Sequence, residues 1–335
     1  MPLTCHIEVT EFCNERCRHC YNFDRDKRRK NITIDWQDLE NILDELEPVK
    51  HIIVTGGEPL VALDETLYLI KESIARGKSV SLNSNLIAAP PRVAKLLKES
   101  GLEHVLTTLH SYKDEVHDYI ANTPGALKKV KQGITNMVEA GIRVSANLVL
   151  NDLNKKDVYE TGFMAKSLGV TKFMVNRMIP KSAEREDILE AVNDLLRLKS
   201  TGLEVATCRN LPECMFDDLK KYSDFIGRGC AAGKRQLVVS VDGSTRACVH
   251  EQNNYGNIYE VGLDSIWSNM KYWRSPFSVK SGCYTCPRFD TCEGGCKLIV
   301  DNLCRGKEYV DTEFEGAGSY PSKSWKQRSL QEKHS

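Results

Sequence analysis

Apolar residues follow two alternating periods through about the first 180 residues of the chain. Short apolar runs, as expected of buried strands, alternate with segments in which apolar residues recur every three or four positions, as on an amphipathic helix. The predicted strands are, in chain order, Cys5–Thr10, His51–Thr55, Ser79–Ser84, His104–Leu109, Ile142–Leu150 and Thr171–Asn176. The predicted helices between them are Trp36–Leu46, Glu65–Ala75, Arg92–Lys98, Ala126–Glu139 and Asp157–Ser167.

This alternation of strands and helices predicts an α/β fold. Consecutive strands that are joined through helices run parallel and cross over with a right hand. Six such repeats build either a doubly wound sheet or an incomplete barrel. In both architectures ligands bind at the carboxyl ends of the strands, so the residues that directly follow each strand are the first candidates for a site.

The charge balance and the hydropathy exclude two classes of partner. The chain has 335 residues with 46 basic and 46 acidic side chains, so it carries no electrostatic footprint for nucleic acid. No apolar run approaches the ~20 residues that a membrane span needs, and no signal-type segment precedes Cys5. We therefore expect a cytoplasmic protein that binds neither nucleic acid nor membrane. The basic run Asp24–Lys30 is expected to be a solvated loop, with a docking site for an acidic peptide or an electron donor as the alternative.

The cysteine content points to metal binding. Thirteen cysteines are many for this chain, and their odd number fits a disulfide framework poorly. Metal ligation in a reducing cytoplasm is the better interpretation. Cys5, at the start of the first predicted strand, is expected to belong to the core.

Three of these cysteines follow the first predicted strand. Cys13, Cys17 and Cys20 have the spacing CxxxCxxC within one short loop. Three thiolates can hold three irons of a 4Fe–4S cluster and leave the fourth iron without a protein ligand, whereas a structural cluster is normally closed by four ligands. The spacing therefore predicts a cluster whose open iron binds a small molecule.

A glycine-rich turn follows the second predicted strand. Gly56 and Gly57 let a backbone approach a ligand closely, and Glu58 adds a carboxylate before Pro59. An ordinary tight turn has the same composition. Beside the three-cysteine loop, we interpret the turn as the cradle of the molecule on the open iron.

The CxxxCxxC loop and the sequence Gly56–Pro59 together resemble the signatures of the radical S-adenosylmethionine (SAM) superfamily, over about residues 4–180. The resemblance implies an incomplete (β/α)6 barrel of the TIM type. It also implies that the open iron binds the amino and carboxylate groups of SAM, with Glu58 and the glycine backbone holding the amino group. Reduction of the cluster would cleave SAM to methionine and a 5′-deoxyadenosyl radical that abstracts a substrate hydrogen.

Residues at the later strand ends are further candidate SAM contacts. Asn83–Asn85 lies where the family often has Thr-Asn-Gly, but here Leu86 replaces the glycine, and His19 stands where the family often has an aromatic residue. An arginine at a strand end can bind the carboxylate of SAM or of a substrate in a bidentate manner. Ser and Asn also commonly fix turns, and Arg often forms structural pairs, so each candidate has a structural alternative. The candidates are Ser84, Asn85, Ser111, Asn147 and Arg177.

The strand–helix rhythm ends near residue 180. One amphipathic helix is predicted over Glu184–Leu198, and the chain after it gains cysteines. A zinc ribbon is the structural alternative for paired CxxC cysteines, but seven cysteines exceed one tetrahedral zinc site and fall one short of two. Two iron–sulphur clusters with an eighth ligand upstream fit this number better. The seven cysteines are Cys230, Cys248, Cys283, Cys286, Cys292, Cys296 and Cys304.

Their pattern, Cx12Gx4C followed by Cx2Cx5Cx3C and a last cysteine, resembles the SPASM extension of radical SAM maturases, over about residues 208–306. This resemblance implies two auxiliary 4Fe–4S clusters, and therefore three 4Fe–4S clusters together with SAM as cofactors. The first auxiliary cluster would take Cys230, Cys248, Cys296 and an upstream cysteine, for which Cys214 is preferred to Cys208. The second would take Cys283, Cys286, Cys292 and Cys304.

Cys208, which this assignment leaves over, is the candidate catalytic residue as a donor of a hydrogen atom to a substrate radical. A buried thiol that packs as a small hydrophobe is the alternative. The expected domains are residues 1–180 for the barrel, 181–207 for a helical linker, 208–308 for the SPASM domain and 309–335 for a polar, mobile tail.

The resemblance points to an oxidoreductase that modifies a ribosomally made peptide by crosslinking, oxidation or epimerisation, with electrons handled by the auxiliary clusters. The alternatives are a small-molecule epimerase or dehydrogenase acting on a sugar or an aminoglycoside, a sulfatase-type maturase, and a non-catalytic iron–sulphur or zinc scaffold. Because no winged-helix peptide-recognition domain precedes the first strand, a separate leader-recognition protein or a sheet edge would hold a precursor peptide. A flavodoxin- or ferredoxin-like protein is the expected reductant.

Overall fold

The computed structural model describes residues 1–21, 32–179, 183–208, 211–227, 229–275, 278–279, 281–283 and 285–299. Within these ranges nine strands form one sheet. In chain order they are β1 (Thr4–Glu8), β2 (His51–Thr55), β3 (Ser79–Asn83), β4 (His104–Thr108), β5 (Arg143–Leu150), β6 (Lys172–Arg177), β7 (Glu204–Thr207), β8 (Gln236–Val239) and β9 (Thr245–Arg246). Their order across the sheet is β7-β6-β5-β4-β3-β2-β1-β8-β9, and all neighbours are parallel except β8 and β9.

The same ranges contain nine α-helices. They are α1 (Trp36–Glu45), α2 (Leu63–Ala75), α3 (Pro91–Glu99), α4 (Asp114–Ala121), α5 (Ala126–Glu139), α6 (Val158–Ser167), α7 (Arg185–Ser200), α8 (Ile258–Asn269) and α9 (Phe289–Cys292). None of these described helices combines the length and the apolar character that crossing a lipid bilayer requires.

The strand–helix alternation predicted from the sequence is confirmed. The six predicted strands correspond to β1 to β6, and β1 pairs with β2 in a parallel register that sets Cys5 opposite Ile52. The five predicted helices correspond to α1, α2, α3, α5 and α6, and the later one to α7. The start of α1 is fixed by Asp35, whose carboxylate accepts a hydrogen bond from the backbone N–H of Gln37 at 2.9 Å.

The two faces of the sheet carry different side chains. On β1, Cys5 and Ile7 are completely buried in the main hydrophobic core, so Cys5 is the core residue that the sequence predicts. Alternate residues on the other face, such as His6 on β1, Asn83 on β3 and Asn147 on β5, line a single cavity. Because strands from across the sheet line one cavity, the sheet curves around it as an incomplete barrel does.

Three strands extend the sheet beyond the six that were predicted. β7 pairs with β6 at one edge, and the hairpin of β8 and β9 joins the other edge, where β8 pairs in parallel with β1. Gly243 lies in the turn of this hairpin with a φ of +79°, and the Tyr259 ring packs so closely that a Cβ at residue 243 would collide with it. The cysteine-rich second half of the chain therefore shares a sheet with the first strand.

Candidate functional site

The inner face of the sheet borders a cavity of about 600 Å³ at the carboxyl ends of the strands. A volume of this size is typical of a site for a small molecule or cofactor. Side chains from β1, β3, β4, β5, β6 and β8 line it, together with cysteines from both halves of the chain. The cavity therefore lies where the strand–helix pattern predicts a ligand.

The three cysteines of the N-terminal loop all line this cavity. The backbone N–H of Cys20 donates to the carbonyl of Cys17 at 3.0 Å, so the last two cysteines lie in one turn. The guanidinium of Arg18 lies 4.2 Å from the centroid of the Tyr119 ring and donates to the Tyr119 carbonyl at 2.9 Å. These contacts anchor the cysteine loop to α4.

Burial governs the acidity of the loop thiols. It raises the pKa of Cys13 to about 12 and the pKa of Cys17 well above the usual value, because a buried thiolate loses its hydration. Thiolates at these positions therefore need a metal cation beside them. Across the part of the chain that the structure describes, no three His, Cys, Asp or Glu side chains converge on a single metal ion. A 4Fe–4S cluster fits this donor set better than one ion does, because its cysteines bind different irons.

The glycine turn after β2 supports the cysteine loop directly. The N–H of Gly57 donates to the Thr10 carbonyl at 2.7 Å, and the N–H of Glu58 donates to the Phe12 carbonyl at 2.8 Å. A Cβ at residue 57 would lie 2.1 Å from the Phe12 oxygen, and one at Gly56 would lie 2.5 Å from the Thr10 oxygen. The two glycines thus allow backbone to pack on backbone. Both also line the cavity, so their contact with a ligand stays a prediction.

Glu58 is buried and joins the ends of β2 and β3. Its Oε1 accepts hydrogen bonds from the Ser84 hydroxyl at 2.7 Å and the Leu60 N–H at 3.0 Å, and its Oε2 accepts from the Asn85 N–H at 2.7 Å. Burial raises the pKa of the carboxyl, and the three donors oppose this rise. Pro59 begins the 3₁₀ turn Pro59–Val61 that follows. Glu58 also lines the cavity, and a carboxylate can accept further hydrogen bonds from a bound ammonium group.

Asn85 reaches from the end of β3 to the cysteine loop. Its Nδ2 donates to Asn14 Oδ1 at 2.7 Å and lies 3.9 Å from Cys13 Sγ. The next residue, Leu86, has a φ of +60°, the left-handed conformation that glycine adopts readily. The backbone at this position therefore keeps the shape that favours glycine although its side chain is leucine.

The three remaining candidate SAM contacts occupy different places. Asn147 and Arg177 are buried and line the cavity. Among the described residues the Oδ1 of Asn147 has no hydrogen-bond partner, so it offers an acceptor to a ligand. Ser111 is not part of the cavity lining, and its hydroxyl donates to Asp157 Oδ2 at 2.6 Å. The structure thus brings Asn147 and Arg177, but not Ser111, to the cavity.

A group of three imidazoles, of which His110 and His117 are buried, lies beside the cysteine loop. The ring of His110 is 4.9 Å from that of His19 and 4.9 Å from that of His117, measured between centroids, and its Nε2 is 4.0 Å from Cys17 Sγ. Burial lowers the pKa of His110 well below its usual value and the pKa of His19 and His117 to about 4, so all three are neutral near pH 7. Burial also raises the pKa of Glu15 to about 7. His110 and His117 were missed from the sequence, although His110 follows β4 at the rim where ligands bind.

Cysteines of the second half line the same cavity from the other side of β1. Cys230 precedes β8, Cys248 follows β9, and Cys296 lies near the end of the described chain. Burial and the neighbouring Cys296 thiol both raise the pKa of Cys230. Three of the four predicted ligands of the first auxiliary cluster are therefore brought to the cavity.

The preferred fourth ligand, Cys214, lies elsewhere. It is not among the residues that line the cavity. In the turn Glu213–Met215, the backbone N–H of Glu213 donates to Cys292 Sγ at 3.4 Å, and Cys214 is close enough to raise the pKa of Cys292. The structure thus places Cys214 near Cys292, a predicted ligand of the second auxiliary cluster, and its assignment to the first cluster stays a prediction.

Two other predicted ligands of the second cluster, Cys283 and Cys286, lie on the described segment that contains Cys292. The backbone N–H of Cys286 donates to the Cys283 carbonyl at 3.1 Å, which places these two in one turn. Cys304 lies outside the described residues, as do the basic run Asp24–Lys30 and the polar tail 309–335.

Cys208 is exposed, so the alternative of a buried, packed thiol was wrong. It follows β7 and lines the cavity, with its Sγ 3.5 Å from the sulphur of Met174. A thiol on the cavity wall is placed to meet a substrate or a cluster, and both roles stay predictions.

Two stretches of the chain match known family models. Residues 7–165 match the Radical SAM superfamily, and residues 230–297 match SPASM, an iron–sulphur cluster-binding domain. The first stretch contains the three-cysteine loop and the glycine turn. The second contains the β8–β9 hairpin and six of the cysteines.

Two relatives align with most of the chain. The AdoMet-dependent heme synthase of Methanosarcina barkeri is 23% identical over 91% of this chain and 91% of its own length. The mycofactocin maturase MftC of Mycolicibacterium smegmatis is 26% identical over 88% of this chain and 78% of its own length.

Among solved structures, Streptococcus suis SuiB bound to S-adenosylmethionine has a TM-score of 0.70 at 16% identity, over 91% of this chain and 77% of SuiB. SuiB bound to the precursor peptide SuiA has a TM-score of 0.68 at 17% identity, over 91% of this chain and 76% of SuiB. This likeness establishes the fold.

Proposed function

We propose that this chain, a member of the radical SAM superfamily with a C-terminal SPASM domain, oxidises, crosslinks or epimerises a residue of a ribosomally made peptide. When bound at the reduced N-terminal cluster, SAM supplies a 5′-deoxyadenosyl radical that abstracts a hydrogen atom from the substrate. The chain's own residues hold the cofactors, orient the substrate and conduct electrons away from it.

One observation carries the proposal: two groups of cysteines from the two domains face the same cavity. They are Cys13, Cys17 and Cys20 on one side and Cys230, Cys248 and Cys296 on the other. A substrate in the cavity would lie between the cluster that starts the reaction and an auxiliary cluster that can accept an electron. Loss of a hydrogen atom and then of an electron is a two-electron oxidation, which crosslinking and side-chain oxidation both require.

The roles of the cavity residues follow from their contacts. The N-terminal cysteine loop holds the SAM-binding cluster, and Glu58 with the glycine turn holds the SAM amino group. Arg177, which is buried at the end of β6, pairs with a carboxylate of SAM or of the substrate. Asn147 accepts a hydrogen bond through its unpartnered Oδ1. Asn85 holds the cysteine loop in place, and Ser111 stays outside the cofactor contacts.

A peptide substrate is supported by SuiB, which was solved with the precursor peptide SuiA. The cavity of about 600 Å³ has to hold SAM together with the reacting group. This space suits one side chain of an extended segment better than a folded domain. A separate leader-recognition protein and a flavodoxin- or ferredoxin-like reductant complete the proposal as partners.

A small-molecule epimerase or dehydrogenase is the second candidate function. The exposed thiol of Cys208 favours it, because a thiol on the cavity wall can return a hydrogen atom to a substrate radical and so complete an epimerisation. The relative named as a heme synthase also acts in the synthesis of a small molecule.

Anaerobic reconstitution of the full chain with groups of cysteines replaced tests the enzyme proposal. The wild-type chain should bind roughly twelve irons and, once reduced, release 5′-deoxyadenosine from SAM. Alanine at the three N-terminal cysteines should abolish this release. Alanine at Cys230, Cys248 and Cys296 should preserve it but remove the modified product. Bound zinc without 5′-deoxyadenosine in the wild-type chain would overturn the proposal.

The choice of substrate separates the two candidate functions, since only a peptide enzyme should modify a candidate precursor peptide and only a small-molecule enzyme a sugar or aminoglycoside. On whichever substrate is modified, Cys208→Ala separates oxidation or crosslinking from epimerisation, because an oxidising or crosslinking enzyme should keep its rate in the variant. An epimerase that uses Cys208 should lose its product, and the wild-type chain should place one solvent deuterium in the product made in D₂O.

A further inference from the structure

The three imidazoles of His19, His110 and His117 form a row, which we call the imidazole row, that runs from the cysteine loop to α4. The His110 ring lies in the middle, edge-on to His19 at 80° and tilted by 48° to His117. The side chains of His110 and His117 are almost completely excluded from solvent, and His19 is partly buried in the cavity wall. Of the three rings, His110 contacts a proposed cluster ligand, with its Nε2 4.0 Å from Cys17 Sγ.

His110 is held in place by its backbone as well as by its neighbours. Its carbonyl accepts a hydrogen bond from Asn154 Nδ2 at 2.9 Å, and the same amide donates to the Val149 carbonyl at 3.0 Å. Asn154 is itself completely buried. These hydrogen bonds fix the backbone of His110. Its ring Nε2 lies 4.0 Å from Cys17 Sγ.

The surroundings of His110 decide which ring nitrogen carries the proton. Its Nδ1 is buried and has no hydrogen-bond partner among the described residues. A proton on Nδ1 would leave a buried N–H without an acceptor and turn the Nε2 lone pair toward the thiolate sulphur. A proton on Nε2 gives that N–H an acceptor, the sulphur, and leaves only a bare nitrogen in the apolar pocket. The second tautomer is favoured because unpaired buried donors are costly.

We propose that His110 is a positioning residue for the SAM-binding cluster: its ring donates the Nε2–H to Cys17 Sγ and raises the reduction potential of that cluster. Hydrogen bonds to the cysteine sulphurs stabilise the more negative, reduced state and are one of the factors that set cluster potentials. The donor thus makes the cluster easier to reduce without adding a charge beside the cavity. The inference rests on the proposed loading of the N-terminal loop with a cluster.

A redox titration of the reconstituted chain, followed by electron paramagnetic resonance, tests this role. The SAM-binding cluster is recognised because its signal changes when SAM is added. His110→Phe keeps a ring in the row and removes the donor. At a fixed ambient potential we expect its ratio of reduced to oxidised cluster to fall about tenfold, equivalent to 59 mV for a one-electron couple. His110→Gln, which keeps an N–H near the position of Nε2, should restore most of the wild-type ratio.

His117→Phe is the matched control, because it changes the same row at the ring that does not contact Cys17. Its cluster should titrate as in the wild-type chain. Equal potentials for wild type and His110→Phe, or equal shifts for His110→Phe and His117→Phe, would overturn the assignment. If His110→Phe fails to fold, a His110→Gln chain that folds but titrates about tenfold away from wild type would overturn it as well. Iron analysis before the titration separates this failure from that of the proposed function, since a wild-type loop without a cluster would contradict both.

Discussion

Oε1 of Glu8 lies 2.7 Å from Nη2 of Arg246 in an ion pair that is almost completely withdrawn from solvent. Glu8 ends β1, the strand that leads into the N-terminal cysteine loop, and Arg246 lies on β9, two residues before Cys248. The Nη1 of Arg246 also donates to the Val249 carbonyl at 3.2 Å. The pair thus fastens the hairpin of the SPASM domain to the first strand of the barrel and fixes the distance between the two proposed clusters.

Breaking this ion pair should destabilise the whole chain. Arg246→Met keeps an unbranched side chain but removes the guanidinium from beside the buried Glu8 carboxylate, which we expect to lower the free energy of unfolding by about 3–5 kcal/mol. Urea unfolding of the anaerobic, cluster-loaded chain measures this change. The exposed pair of Lys95 and Glu99 is the control, since Lys95→Ala should change the same quantity by less than about 0.5 kcal/mol. Similar effects of the two variants would contradict a structural role for the buried pair.

Gly57→Ala should prevent the N-terminal cluster from forming. The new Cβ would lie 2.1 Å from the Phe12 carbonyl oxygen, and because this is backbone, the cysteine loop itself must move. We expect the variant to lose about four of roughly twelve irons and its release of 5′-deoxyadenosine. Gly77→Ala is the control, because a Cβ there meets nothing within 4 Å although φ is +74°, so it should lose stability but no iron. Full iron content in Gly57→Ala would disprove the steric argument.

At Leu86 the glycine variant should be more stable than the alanine variant, the reverse of the order expected within a helix. Either substitution removes a completely buried leucine, at a cost of about 2–5 kcal/mol. Alanine in addition keeps the left-handed strain that glycine relieves, so Leu86→Gly should be about 1 kcal/mol more stable than Leu86→Ala. At Leu97, buried within α3, glycine should instead be about 1 kcal/mol less stable than alanine. Urea unfolding measures the stability of the four variants. If glycine and alanine have the same order of stability at both positions, the prediction is refuted.

The sequence predicts the barrel well because parallel strands buried on both sides are continuous apolar runs, each followed by an amphipathic helix. Local pattern alone is enough for β1 to β6. It is not enough for β8, whose partner β1 lies at the far end of the chain. A short apolar run among cysteines does not indicate that it pairs with β1. The local pattern also missed α4, which has only eight residues, too few to establish a helical period in the sequence. In both cases the structure depends on tertiary contacts that no local period encodes.

In the candidate site too, sequence spacing predicts some features, and others depend on how distant segments pack. The spacing of Cys13, Cys17 and Cys20 places three thiols in one loop whatever the rest of the chain does. The position of Cys214 beside Cys292 depends instead on how two distant segments pack, and a cysteine pattern leaves that open. Leu86 is intermediate: the sequence shows that the glycine is replaced, but only the backbone shows that the left-handed turn is kept.

His117 should make the folded chain sensitive to mild acid. Burial lowers its pKa from 6.5 to about 4, so the unfolded chain binds this proton more tightly than the folded chain does. The stability that neutral His117 contributes is therefore complete above pH 6.5 and is lost as the pH falls from 6.5 toward about 4. Between about pH 8 and about pH 5.5 this one group should lower the free energy of unfolding by roughly 1 kcal/mol.

The variant His117→Phe isolates that contribution, because its ring has a similar size and does not titrate. Urea unfolding of both chains at about pH 8 and about pH 5.5 gives the loss for each, and the variant should lose roughly 1 kcal/mol less than the wild type. Lys95→Ala, which leaves every histidine in place, should lose as much as the wild type. The test compares the change in unfolding free energy between the two pH values, because the variant's stability at high pH also reflects repacking against His110. Equal losses in His117→Phe and the wild type would mean that His117 has the same pKa in the folded chain as in the unfolded chain.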